Sequence, residues 1–300
     1  MIKSPDDVTR AVTAVMEQTT DPRLREIMVS LVAHLHGFVR DVKLTETEFR
    51  AAAAFIVQLG QQTNDNHNEV ILIAGSLGVS SLVCLQNNGN NGQTETTQNL
   101  LGPFWRMHSP ATANGQSIVR SPTEGAPLWV QARVVDTHDQ PIADAEVDIW
   151  HSAPTGFYEH QAQAREQGQA DMNLRGKFVT DDKGSFSFWS IKPSGYPIPT
   201  SGVVGQLLKA QNRHPMRPAH VHALIFKTGY KTLISQVYDD DDAHLETDVQ
   251  FGVTRALTGQ FVEHHAPPPG KPDLQCPWYS LDFCFTMEAG LATLPRPPIK

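Results

Sequence analysis

Cysteine is scarce in this chain. The three residues, Cys84, Cys276 and Cys284, show no C-x-x-C spacing. That argues against a disulfide scaffold and a thiolate zinc site, and it fits a reducing compartment. Basic runs are missing as well, and the formal net charge is -8. Recognition of nucleic acid needs clustered Lys and Arg, so no nucleic-acid partner is expected. No apolar run is long enough to span a bilayer. The opening Met1-Ile2-Lys3-Ser4-Pro5-Asp6-Asp7 has neither the basic region nor the apolar core of a signal peptide. The expectation is a cytoplasmic protein with no membrane span. Three common signatures are also absent: a Gly-x-Ser-x-Gly elbow, a phosphate-binding Gly loop, and a dinucleotide fingerprint opening a helix.

What remains is globular. Forty per cent of the 300 residues are hydrophobic and 19% are charged, enough apolar content for a real core. The first hundred residues read as helical. Ser4-Pro5-Asp6-Asp7 is a helix start, with Pro in the first turn and acids facing the dipole. Asp21-Pro22 opens a second helix, whose stripe of Leu24, Ile27, Met28, Leu31, Leu35 and Phe38 is expected to pack into a core. Thr45-x-x-Glu48 is a capping box for a third helix. Asn64 to Leu85 reads as a fourth.

The pattern then changes. Gln86 to Gln98 is rich in Asn, Gly, Gln and Thr and reads as loop. Strand alternation follows in Leu128–Val135 and Glu146–Trp150. Hairpin signals join Gly176–Thr180 to Ser185–Ile191 and Ala219–Phe226 to Thr232–Tyr238. Tyr279–Met287 is a late strand. Short strands at regular spacing predict an antiparallel sandwich or barrel. Two long loops, Phe157 to Asn173 and Gly195 to Pro218, interrupt it, and loops of that length are usually functional. The fold class is α+β: a helical region over 1–106 followed by an antiparallel β-sandwich over 107–300.

Arg217-Pro218-Ala219-His220-Val221-His222 is the strongest local chemical signal. Residues two apart on a strand share a face, so His220 and His222 can reach one metal ion, while Val221 and Ala223 turn into the core. Neutral imidazole suits iron, copper, nickel and zinc alike. The plain alternative is two unrelated polar residues on an exposed face. His34 and His36 are also two apart, but in a helical pattern they face different ways. Asp239 to Asp242 lacks calcium-loop spacing and reads as a solvated turn. Of only five Tyr, Tyr158 and Tyr196 fall in the long loops. Taken alone, each reads equally as a packing aromatic with a wet hydroxyl.

Six segments occur here in order: Leu101-Gly102-Pro103-Phe104, Val147-Asp148-Ile149-Trp150, Gly156-Phe157-Tyr158, Asp171-Met172-Asn173-Leu174-Arg175-Gly176, Pro193-Ser194-Gly195-Tyr196-Pro197-Ile198-Pro199 and Arg217-Pro218-Ala219-His220-Val221-His222. Together they resemble the intradiol dioxygenases, the catechol and hydroxyquinol 1,2-dioxygenases. The resemblance implies an enzyme that inserts both atoms of O2 into a catechol-type ring, between its two hydroxylated carbons. It implies Fe(3+) held by Tyr158, Tyr196, His220 and His222, with Tyr196 the ligand that departs. It implies catalytic roles for Arg217 and Gln236. It implies a homodimer through the N-terminal helices, and a phospholipid held among them.

Residues 171–176, 196–200 and 204–210 resemble the hydroxyquinol branch more than the plain catechol branch. Catechol or chlorocatechol cleavage is the alternative. By the same resemblance, Leu72, Gly75, Leu101, Gly102, Pro103, Phe104, Ile198, Pro199 and Gln250 line the substrate pocket. Gly75 and Gln250 depart from the branch pattern. Gly75 is expected to leave space for a bulkier ring. The Gln250 amide is expected to pair with a substrate hydroxyl or another polar substituent. The rivals from other classes are a non-catalytic β-sandwich binding module and a zinc hydrolase. The latter needs carboxylate or further His ligands that the sequence does not space.

Overall fold

The computed structural model describes residues 2–65, 67–87 and 95–298. The chain divides into two compact units, Met1–Gln58 and Leu59–Lys300. The first is helical: α1 (Pro5–Met16), α2 (Pro22–Asp41) and most of α3 (Glu46–Gln62). The start signals work as their chemistry dictates. Asp21 accepts from the N–H groups of Arg23 and Leu24, and Thr45 and Glu48 exchange reciprocal hydrogen bonds. The α2 stripe is not core. Leu24, Ile27, Leu31, Leu35 and Phe38 are all about half exposed in the single chain. The periodicity identified the helix correctly, but it could not say what the apolar face meets.

The expected fourth helix is two. α4 (Glu69–Ser76) and α5 (Val79–Gln86) are bent by 75° at a break. Gly78, at φ +73°, is the cause. Its left-handed conformation ends α4 and restarts the chain in a new direction, and a residue with a Cβ resists that conformation.

The second unit carries the sandwich. Its strands are β1 (Pro127–Asp136), β2 (Glu146–Trp150), β3 (Arg175–Val179), β4 (Ser185–Ile191), β5 (Tyr196–Pro197), β6 (Met216–Arg217), β7 (His220–Phe226), β8 (Leu233–Asp239), β9 (Thr258–Gly259), β10 (Val262–His264) and β11 (Trp278–Met287). One sheet runs β10-β11-β1-β4, the other β3-β2-β7-β8-β9, and β5 pairs with β6 alone. Most pairings are antiparallel. Two are parallel, β1 with β11 and β8 with β9. The β1–β11 pairing is reached through a connection that traverses the rest of the sandwich, the kind of crossover a parallel pair needs. Val130, Phe186, Phe188 and Phe285 from one sheet meet Val147, Phe178, Val221 and Ile225 from the other in one buried core. As expected, Val221 and Ala223 point inward.

The two long loops are partly ordered as helix: α6 (Ala162–Glu166) in the first and α7 (Val203–Ala210) in the second. The fully buried Glu69 carboxylate accepts from the Val204 N–H, and the Gln62 side chain accepts from Val203. These bonds satisfy the free N–H groups of the α7 start and tie α7 to α4. The acidic run is also more than a solvated turn. Asp239 is buried and pairs with Lys192, and Asp242 accepts from the Ala219 N–H at 2.8 Å, fixing the entry to β7.

Candidate active site

β7 places His220 and His222 on one face, away from the core. Their Nε2 atoms lie 3.2 Å apart. Tyr196, on the short β5, brings its hydroxyl to 3.5 Å from His220 Nε2. Tyr158 follows β2, and its N–H donates to Gln161 Oε1 at 2.7 Å. The two phenol oxygens are 3.2 Å apart. All four side chains are buried. The residues thus meet from three separate parts of the chain, with Phe104, Trp105 and Trp150 packed around them.

The surroundings fix the donor atoms. His220 Nδ1 is 2.7 Å from the Pro218 carbonyl, so it carries the proton and donates. Its Nε2 lone pair then faces the cluster, the arrangement a metal-binding imidazole needs. His222 stacks on the Trp150 indole at 4.6 Å and 8°, which holds its ring plane. A Cβ at Gly102 would stand 3.1 Å from His222 Cε1, so the glycine lets the backbone pass close over the ring.

Burial governs the charge states. It lowers His220 to about 3, helped by the Arg217 charge, and it holds His222 well below the usual range. Both imidazoles are therefore neutral at pH 7. Burial raises Tyr158 well above an ordinary phenol, with Tyr196 adding to the effect, and it raises Tyr196 too. Only a strong positive charge at the cluster would remove their protons. Among the described residues no group of three His, Cys, Asp or Glu could hold a metal. With the phenols included, the set is two neutral nitrogens and two potential phenolates. That set fits a hard, highly charged ion: two phenolates offset most of a 3+ charge in a site that could not bear it bare.

Arg217 lies beside the cluster, with Nη1 3.3 Å from His220 Nε2. Its Nε and Nη2 donate to Asp248, and Nη2 also donates to Gln236 Oε1 and the Tyr238 hydroxyl, each at 2.9 Å. Burial works against its charge, but the Asp248 carboxylate outweighs that and holds Arg217 protonated. Gln236 in turn donates to the Leu100 carbonyl. It bears on Arg217 rather than on the cluster.

Tyr238 and Asp248 were not found in the sequence. Tyr238 carried a usable signal, since it pairs with His220 across the β7–β8 ladder as Gln236 does with His222. Asp248 lies in irregular chain and gave none. Arg175 is fully buried, pairs with Glu159 and stands 6.0 Å from the centre of the Tyr158 ring.

Above the cluster opens a cavity of about 530 Å³. Leu72, Gly75, Leu101, Gly102, Pro103, Phe104, Ile198, Pro199 and Gln250 all line it, as do Tyr196 and Arg217. Two expectations fail here. Gly75 does not leave open space, because Gln250 Oε1 occupies the position a side chain would take. The Gln250 amide does not wait for a substrate hydroxyl, because Nε2 donates to Ser76 Oγ at 2.8 Å.

Buried phenols beside neutral imidazoles, under a largely apolar cavity, define a class of site whose donors suit a hard metal ion. Comparison with known proteins gives the class its family. The family model described as "Dioxygenase" matches residues 101–284, and "Catechol dioxygenase N terminus" matches 21–95. The hydroxyquinol 1,2-dioxygenase of Rhodococcus opacus is 38% identical over 87% of this chain and 84% of its own. The catechol 1,2-dioxygenase of Candida albicans is 36% identical over 82% of this chain and 80% of its own. The solved hydroxyquinol 1,2-dioxygenase of Pseudomonas putida DLL-E4 superposes with a TM-score of 0.85 at 34% identity, covering 95% of this chain and 99% of that one. The chain belongs to the intradiol ring-cleaving dioxygenases, enzymes whose family identity implies non-haem iron.

Proposed function

We propose that Tyr158, Tyr196, His220 and His222 hold a ferric ion here, and that the enzyme opens a hydroxylated catechol ring between its two adjacent hydroxylated carbons. Hydroxyquinol or a substituted relative is the substrate. Both atoms of O2 enter a product of the muconate or maleylacetate type. The observation that carries this reading is the convergence of two phenol oxygens and two imidazole nitrogens under one apolar cavity. When bound, the ferric ion supplies Lewis acidity and a path for electron density between ring and dioxygen.

The chain's own residues do the rest. Phe104, Leu101, Ile198 and Pro199 flank the ring and exclude water, which strengthens every charge interaction inside. Tyr196 is the exchangeable phenol. It lies on a two-residue strand outside both main sheets, and its oxygen can take the proton of an incoming substrate hydroxyl. Tyr158, more deeply buried, stays. Arg217, held on three sides, keeps a fixed positive charge against the negative charge that develops on the substrate, and Gln236 aims it. The preference for a third ring hydroxyl rests on the hydroxyquinol-cleaving relatives, not on Gln250. Cleavage of catechol or a chlorocatechol is the competing reading. Specificity constants for hydroxyquinol, catechol, 4-methylcatechol and chlorocatechols decide between them. A tenfold advantage for catechol or a chlorocatechol, about 1.4 kcal/mol in transition-state binding, overturns the substrate assignment and leaves the chemistry standing.

The helical region over 1–106 we assign to dimerisation and 107–300 to catalysis, in a cytoplasmic homodimer. The exposed apolar stripe of α2 supports the dimer. An apolar cavity of about 420 Å³ beside Val8, Val39, Leu44 and Phe49 has the character of a lipid-chain site. Mass spectra of gently purified protein that show no lipid would remove that last assignment.

A further inference from the structure

Among the described residues, the wall of the cavity over the cluster has two arginines and no carboxylate. Arg217 is buried at the floor and fully paired with Asp248. Arg296 is different. It is exposed, and among the described residues no hydrogen bond or ion pair engages its guanidinium. Among the described residues, then, nothing neutralises this cation in a largely apolar wall.

The segment that presents it is constrained. Arg296 stands in Leu294-Pro295-Arg296-Pro297-Pro298. Three prolines fix three φ angles and favour a stiff extended backbone. Upstream, the Thr293 N–H donates to Thr232 Oγ1 at 3.0 Å, and the Gly290 N–H to the Gly229 carbonyl at 2.9 Å. Pro298 lines the same cavity. The backbone that carries Arg296 along the cavity wall is therefore a stiff, anchored strap, not a free tail.

Size adds to this. A cavity of about 150 Å³ is enough for benzene, and this one is about 530 Å³. It has room for an aromatic diol with a further substituent. We propose that Arg296 is a specificity residue that binds a carboxylate carried on the ring, on the side remote from the two adjacent hydroxyls. The substrate class is then a hydroxylated catechol with an anionic side chain. This rests on the ring-cleaving function proposed above and narrows its substrate.

The test compares 3,4-dihydroxyphenylacetate with 4-ethylcatechol, which differ in the carboxylate, using the metal-loaded dimer. The readout is the ratio of their kcat/KM values in wild type, Arg296→Ala and Arg296→Lys. The ratio should fall about fivefold in Arg296→Ala, the upper range for a partly exposed ion pair, and recover in part in Arg296→Lys. It should also shrink as ionic strength rises. A ratio that Arg296→Ala leaves unchanged, or a wild type that cleaves 4-ethylcatechol but rejects the carboxylated diol, overturns the proposal. If the wild type cleaves neither of these nor hydroxyquinol, the ring-cleaving reading fails instead. Calorimetric affinities of the same two diols for wild type and Arg296→Ala then decide the Arg296 assignment by the same ratio.

Discussion

Gln250 fills the space that a side chain at residue 75 would need. A Cβ on Gly75 would overlap Gln250 Oε1, and the carboxamide is held there by its bond to Ser76 Oγ. The two positions therefore form one unit in the cavity wall, and each explains the other. Gly75→Ala should displace Gln250 and lower both thermal stability and turnover. Adding Gln250→Ala should recover part of the loss. The expected coupling is about 0.5–3 kcal/mol, the range for residues in contact. Strictly additive effects in the double-mutant cycle would show that the two do not compete for one space.

Arg217 is held by Asp248, Gln236 and Tyr238 beside the four-residue cluster. Removing its side chain leaves Asp248 buried without a counter-charge. Arg217→Ala should therefore cost about 3–5 kcal/mol of stability besides its effect on rate. Arg217→Lys keeps the charge but loses the fork. It should retain iron and colour while turnover falls about 10²-fold or more, the scale for removing one aligned donor. Wild-type turnover in Arg217→Lys, with iron content unchanged, would mean that the fork has no part in the reaction.

The same pair sets a pH dependence of folding. Burial raises the Asp248 pKa, but the Arg217 charge outweighs it and the net shift is downward. A carboxyl depressed in the folded state stabilises the fold above its unfolded value. That contribution is lost as pH falls through the lower folded value. Urea midpoints should therefore drop as pH is taken below about 4. Asp248→Asn should be less stable at neutral pH and should lose less on acidification. An identical acid profile in the variant would remove Asp248 from the account of acid stability.

The proposed dimer face is open to a charge test. Leu31 and Leu35 lie on the exposed stripe of α2. Leu31→Glu with Leu35→Glu should shift sedimentation from dimer to monomer at micromolar concentration, because a dimer would bury both charges. Wild-type protein that sediments as a monomer under the same conditions would contradict the dimer outright.

How much of this was legible in the sequence depends on whether a residue belongs to a repeating pattern. His220 and His222 could be placed on one face because strand geometry has period two. Val221 and Ala223 were assigned to the core for the same reason. Tyr158 and Tyr196 sit in irregular chain, where no period exists, and only the resemblance across six segments singled them out. The α2 stripe gave a helix but not its partner. The α4–α5 break turned on one left-handed Gly78, which looks like any other glycine in a helical run. The Gly75–Gln250 match was invisible because it is a contact between residues far apart in the chain. Reading each position alone gave space at one and an unpaired amide at the other.

The central assignment is a ferric ion on two tyrosinates and two histidines. The visible spectrum of purified protein, read together with its metal content, tests it most directly. A ferric tyrosinate site gives a broad charge-transfer band and a wine-red colour, with a single iron per chain. Tyr158→Phe should lose that band along with the iron, while folding is retained by circular dichroism. A colourless wild-type protein that carries stoichiometric zinc and is fully active in ring cleavage would contradict the assignment.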